Sequence, residues 1–326
     1  RQMCIRDRTS VDANKVNKLN IASLKDVLGD MTLTNLLIEE LDLSQINFNG
    51  NTLTLQCKQL NKIVGSETFN GSLFLLPKDC RLTEFTLEGI SNIQGDFQCI
   101  DYFYVKEFVM PFIRVAGDMT IALNSGNVNT AAEIEFPKLQ EIGGTLTLGT
   151  NRNANNITFP LLKKILGSCS VTTYKLKNDI EFTNLESIGT DGADAQIKFE
   201  IEATNILCPK LKTINGKFDI ATSSFMFDME VDKVSYPNVE SISENLSITC
   251  PYSDFGSNGI LSIDFSGLKS AKGISISGQG DVTDFSSFKY LFENNVLTGE
   301  SQWSVKECGY NPTFQEMKDG KYKLAE

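Results

Sequence analysis

Between Ile134 and Leu148 the apolar residues fall at Ile134, Phe136, Leu139, Ile142, Leu146 and Leu148, with Gly144 between the last two groups. The pairs at each end are two apart, which is the spacing of side chains on one face of a strand. The middle advances in steps of three and carries a glycine, so it predicts a bend. One such unit is therefore strand, corner, strand, and it leaves its apolar row uncovered. With Pro137 as origin, the same frame fits around Pro160, Pro209 and Pro237, and around Glu88 and Ala22, where proline is absent. Around Pro209, for example, it gives Ile206, Cys208, Leu211, Ile214, Gly216, Phe218 and Ile220.

Four further copies are imperfect. The one at Pro111 is a residue short before Val115, and the one at Ser266 slips so that Ile274 and Ile276 take the last pair. At Thr183 an insertion, Asp191 to Asp194, precedes the strand around Phe199. Lys58 has Leu55, Cys57, Leu60, Ile63 and Gly65, then a loop before Leu73 and Leu75. From Val11 to Leu55 the spacing is looser, and Leu36, Ile38, Leu41, Leu43 and Ile46 fit either a strand pair or an amphipathic cap. Most anchors lie 23 to 30 residues apart, the length of one solenoid coil rather than of a domain. Each coil offers a neighbour the apolar row and strand edges that the neighbour also needs to cover, so the array grows by stacking with parallel strands. The expectation is a mainly β chain, a right-handed β-solenoid of about ten coils.

Beyond the last anchor a half copy, Phe285 to Leu291, is followed by a tail with the only tryptophan, Trp303. There Asn311 as cap, Pro312 in the first helical position and Gly320 as stop predict a short helix. Residues 292–326 are thus expected to form a C-terminal cap on a solenoid spanning 9–291. Residues 1–8, Arg-Gln-Met-Cys-Ile-Arg-Asp-Arg, fall outside the pattern, resemble translated sequencing-adapter read-through, and are set aside as non-native. Any signal peptide or lipid-anchoring cysteine would then lie in a missing upstream segment.

Composition narrows the function. The net charge is -11, which argues against nucleic acid and anionic membrane surfaces as partners. The chain has no histidine, which removes histidine-based triads and the commonest metal ligand. Its 8 cysteines show no zinc spacing, and Cys57, Cys99, Cys169 and Cys208 occupy core slots, so they read as buried thiols, with disulfides between coils as the alternative. Acidic groups at Asp191 and Asp194, at Asp228, Glu230 and Asp232, and at Asp281 and Asp284 match no calcium-loop pattern and read as solvated loops. No row of charges repeats at one outward slot, as a β-helical carbohydrate-active enzyme would require. No cofactor and no metal are expected.

The repeat F-P-x-L-x-x-I-x-G-x-L-x-I resembles the receptor L-domain, a leucine-rich-repeat-like right-handed β-helix. It is similar also to the leucine-rich-repeat surface proteins of gut Bacteroidetes, whose C-terminal ends resemble the tail Tyr310-Asn-Pro-Thr-Phe-Gln-Glu-Met-Lys318. The resemblance covers residues 19–291 and implies export, exposure at the cell surface or outer membrane, and a non-catalytic role. It departs from the pattern in lacking cysteine-rich modules and an evident asparagine ladder. The function expected is adhesion or binding of a protein or glycan ligand by a monomer held at the membrane only through a missing anchor. A structural spacer and a β-helical carbohydrate-active enzyme are the alternatives. Candidate ligand-binding residues are the aromatics on connections outside the frame, Phe225, Phe227, Tyr174, Tyr102 and Tyr104, which either anchor a ligand or fold over the coil as a satellite core.

Overall fold

The structure is a computed structural model and describes residues 3–5, 9–12, 19–76, 84–100, 107–124, 132–151, 154–174, 178–192, 194–201, 205–222, 233–249 and 260–325. The chain is 44% strand and 6% helix, and its parallel coils form a β-solenoid of about 8 turns, close to the ten expected. It divides into two compact units, Arg1–Leu162 and Lys163–Glu326.

In the first unit the long strands Met31–Thr34, Thr52–Gln56, Ser72–Leu75, Phe97–Ile100, Met119–Asn124 and Leu146–Asn151 run side by side in one parallel sheet. Their register brings Met31, Leu53, Leu73, Phe97, Met119 and Leu146 into one row, and every one of them is buried. The strand Met3–Ile5 pairs in parallel with Leu24–Val27. In the second unit the corresponding strands are Cys169–Tyr174, Ala195–Ile201, Gly216–Thr222, Asn245–Thr249, Gly273–Ser277 and Trp303–Lys306.

The predicted core slots are buried. Around Pro137 all six apolar residues are at most 1% exposed, and the Pro160 and Pro209 copies fill the same positions. The frame's proline has a local cause. The Leu139 N–H donates to the Phe136 carbonyl, as Leu162 does to Phe159, Leu211 to Cys208 and Val239 to Tyr236. Proline thus stands second in a tight turn, where its fixed φ is pre-set and its missing N–H costs nothing. Phe136 stacks on Phe159 at 4.8 Å with 3° between the rings, and in the second unit Phe199, Phe218, Tyr236, Phe265 and Phe288 form a chain of ring contacts. Full burial of such a ring contributes about 1.5–3 kcal/mol, which one coil alone cannot realise.

The middle of the coil differs from expectation. The steps of three contain a two-residue strand of their own, Glu141–Ile142, which pairs with Arg114–Val115. Each such coil thus has three strands and three corners. Two residues are too few to show a period of two, so the sequence displays only the bend.

The copy placed at Lys58 is out of register. Leu55 belongs to the long strand of the preceding coil, between Leu33 and Leu75, whereas Ile63 pairs with Leu41 and Leu87. The true coil has its origin at Val64 and carries Ile63, Phe69, Gly71, Leu73 and Leu75 in the slots of Phe136, Ile142, Gly144, Leu146 and Leu148, with no loop. Cys57 and Leu60, both 2% exposed, follow Leu55 at steps that imitate a coil start. The loose segment before it is neither a lone strand pair nor a cap, since Leu41 and Phe48 build a coil whose ring meets Phe69 at 4.7 Å. At Pro111 the missing residue is absorbed by Phe112, fully buried, while Ile113 is turned outward at 36% exposure.

A side-chain ladder absent from the sequence reading runs along the corner that enters the long sheet. Asp30 accepts from the Thr52 N–H at 2.9 Å, Ser72 from Asp96 at 2.9 Å, Asp96 from Asp118 at 2.8 Å and Asp118 from Thr145 at 2.7 Å; in the second unit Ser168 accepts from Gln196 at 3.0 Å. Aspartate and serine do here what an asparagine ladder does elsewhere. The glycines just before Asp96 and Asp118 are required by close approach, because a Cβ on Gly117 would lie 2.8 Å from the Gly95 carbonyl carbon, and one on Gly95 2.8 Å from that of Gly71.

At the C-terminal end the helix Phe314–Lys318 starts two residues later than expected. Its cap is Thr313, whose hydroxyl accepts from the Glu316 N–H while Glu316 accepts from the Thr313 N–H. Pro312 precedes this cap, and its carbonyl receives the Trp303 indole N–H at 2.9 Å. Gly320 follows with φ 78, as a helix stop.

Candidate functional site

The three corners of the coil differ in how much length they tolerate. The first corner spans three residues (89–91) or four (110–113), and five in 136–140, 159–163, 182–186, 208–212 and 236–240. The second holds three in 94–96, 116–118, 143–145 and 166–168, two in 70–71 and 243–244, one at 215 and six in 189–194, where the predicted insertion lies. The third, which leaves the long sheet, ranges from two residues (152–153) through seven (125–131) to ten (223–232) and twelve (250–261). In each unit the variable connections therefore follow the C-terminal ends of the long parallel strands. The first two corners are held by the proline turn and by the ladder. Among the described residues no such bond recurs at the third, where length changes most.

The sequence-predicted aromatics lie on these connections. Phe225 and Phe227 fall in 223–232, and Tyr102 and Tyr104 in 101–106, all outside the described residues, as are Asp228, Glu230 and Asp232. Tyr174 ends the strand Cys169–Tyr174.

Where the two longest connections of the second unit begin and end, the structure places a buried polar cluster that the sequence did not single out. Thr222, the last residue before 223–232, donates its hydroxyl to the Thr249 carbonyl at 3.4 Å, and Thr249 is the last strand residue before 250–259. Gln279 donates from Nε2 to Thr222 Oγ1 at 3.0 Å and to the Ser277 carbonyl at 3.4 Å. Its Oε1 accepts from the Ile260 N–H at 3.3 Å, where the chain returns from 250–259. Thr222 and Gln279 are both 0% exposed. A buried amide with every group satisfied fixes its neighbours, and here it ties three chain segments at the rim.

Little chemistry beyond binding is assembled among the described residues. Cys57, Cys169, Cys208 and Cys308 are free and buried, and Cys99 is buried too. Burial pushes the Cys169 thiol up to about 12, and burial followed by the neighbouring Cys169 pushes Cys208 up as well. Such thiols stay protonated at neutral pH and are poor nucleophiles. The Tyr236 hydroxyl, raised by burial, donates to the Ile206 carbonyl at 3.0 Å. Lys198 and Thr172 hold the Glu200 carboxyl below its ordinary range on the outer face of the long sheet. The Asp284 carboxylate accepts from the Ser286 N–H at 2.7 Å, and Asp191 and Asp194 are exposed. Among the described residues no three metal-ligating side chains are gathered together, and no helix is long and apolar enough to cross a membrane. Comparison of the chain with protein-family models, curated proteins and solved structures finds no match.

Proposed function

We propose that this chain is a non-catalytic, exported repeat protein of the leucine-rich-repeat, L-domain-like kind that binds a protein or glycan at a cell surface. One observation carries the reading: the largest changes in coil length fall at the corner leaving the long sheet. In repeat proteins the inserted loops of one corner form the variable, binding face, while the invariant corners keep the stack in register. The aromatics Phe225, Phe227, Tyr102, Tyr104 and Tyr174 belong to those connections or border them, and the tied rim at Gln279 supports two of the longest. The repeat motif supports the family assignment, and the family resemblance supports the surface location.

The test is a glycan and protein binding array with the full chain beside a Phe225→Ala, Phe227→Ala double variant. Selective binding that the double variant loses supports a site on 223–232. Binding that survives moves the site to another connection. Binding to nothing, with no new reducing ends released from the same glycans, favours the spacer; release of reducing ends favours an enzyme.

A further inference from the structure

In the second unit one outward slot carries a charge in five successive coils, Lys163, Glu186, Lys212, Glu240 and Lys269, and the sign changes at every step. Each residue stands directly on the one before. The Glu186 N–H donates to the Lys163 carbonyl at 2.9 Å, Lys212 to Glu186 at 3.0 Å, Glu240 to Lys212 at 2.8 Å and Lys269 to Glu240 at 2.8 Å. The Lys269 ammonium bonds the Glu240 carboxylate at 2.8 Å. Lys269 first, and Lys212 after it, hold that carboxyl below its ordinary range. Two further pairs between neighbouring coils follow the same rule, since Lys198 is the register partner of Asp219 and Lys272 bonds Glu244. The sequence reading expects no row of charges at one outward slot; a row exists here, but its signs alternate. The first unit does not keep the rule, because Glu107 is the register partner of Glu133.

Exposed ion pairs add little to stability, so stability alone does not account for a row this regular. The core supplies the reason. Ile165, Ile188, Ile214 and Ile242 fill one buried slot in register, and Leu185, Leu211, Val239 and Leu268 fill another. Side chains this alike fit a wrong neighbour nearly as well as the right one, so burial by itself accepts a coil stacked one place out of order. The charges do not accept it. A coil that skips its neighbour sets Lys163 on Lys212, Glu186 on Glu240 or Lys212 on Lys269, at the strand spacing of about 4.8 Å. Like charges directly opposite repel where the correct stack attracts. The penalty therefore falls on the wrong order, which is how charged positions select among otherwise equivalent pairings of helices in a coiled coil.

We infer that the row Lys163, Glu186, Lys212, Glu240 and Lys269 is an ordering device. Its alternation makes each coil fit for the next and unfit for the one after, and so keeps the second unit from closing with a coil looped out or exchanged with the wrong coil of a second copy. The inference stands apart from the binding role proposed above.

The experiment exchanges two neighbours in the full chain, Glu186→Lys together with Lys212→Glu. Composition and net charge are unchanged, but the row then reads Lys-Lys-Glu-Glu-Lys and pairs like charges at two of its steps. Refolding from urea at low salt is expected to return about half the native yield of monomer or less, the rest as soluble oligomer on gel filtration. The unfolding equilibrium constant of the exchanged chain is expected to rise about fivefold. Both differences shrink at high salt, where exposed charges are screened within a few ångströms. A second variant inverts every sign, with Lys163→Glu, Glu186→Lys, Lys212→Glu, Glu240→Lys and Lys269→Glu. It restores the alternation and is expected to refold like the native chain. A native yield of monomer from the exchanged chain overturns the inference even if its urea midpoint falls, because ion pairing without ordering lowers the midpoint alone. So does a loss of monomer that high salt leaves in place, or an inverted chain that misassembles as badly as the exchanged one.

Discussion

At the corner entering the long sheet, Gly95 and Gly117 lie against the backbone of the coil before, and Asp96 and Asp118 each hold an N–H of the coil after. At the corner leaving that sheet no repeated bond recurs among the described residues, and the chain takes from two to twelve residues to reach the next coil. The contrast separates what the solenoid needs from what it permits. Length is held to three residues beside Asp96 and Asp118, where a side chain of one coil bonds an N–H of the next, and varies most at the corner leaving the sheet.

The sharpest way to break this contrast is one residue inserted at each corner. Placed between Thr145 and Leu146, it moves Leu146 and Leu148 to the outer face and Thr147 inward, and the first unit is expected to lose its cooperative unfolding transition in urea. Placed between Arg152 and Asn153 it is expected to cost no more than about 0.6 kcal/mol. Phe136→Ala removes a ring packed on Phe159 and is expected to cost about 3–5 kcal/mol by denaturant midpoint. Gly117→Ala drives a methyl into the Gly95 carbonyl and the Asp96 carboxylate, for about 1–3 kcal/mol. Asp118→Ala leaves the Thr145 N–H without its rung and is expected to cost about 1 kcal/mol.

The smallest effect is electrostatic and lies in the cap. The Thr313 backbone N–H, then its hydroxyl, hold the Glu316 carboxyl below its ordinary range. A carboxyl lowered in the folded state stabilises it above the ordinary carboxylate range, and that contribution fades as pH falls through the lowered value. Acid titration followed by amide exchange is expected to loosen the helix Phe314–Lys318 in this window, and Glu316→Gln to flatten the dependence.

How much of this is legible in the sequence depends on how each residue is used. Ile134, Phe136, Leu139, Ile142, Leu146 and Leu148 announce themselves because burial demands apolar side chains at fixed spacing. Glu141–Ile142 does not, since a strand of two residues has no period. The coil at Val64 is hidden because Leu55, Cys57 and Leu60 carry the right pattern in the wrong place, and only pairing with Leu41 and Leu87 reveals the register. Asp96, Asp118 and Gln279 look like ordinary polar residues until their acceptors and donors are known.

The ladder has a direction. Asp30 serves Thr52, Ser72 serves Asp96, Asp96 serves Asp118 and Asp118 serves Thr145, always from the earlier coil to the later. Synthesis proceeds from the N-terminus, so each coil leaving the ribosome meets acceptors already in position, and folding can keep pace with translation one coil at a time. A stalled ribosome would hold a shorter array whose last finished rung waits for the next N–H.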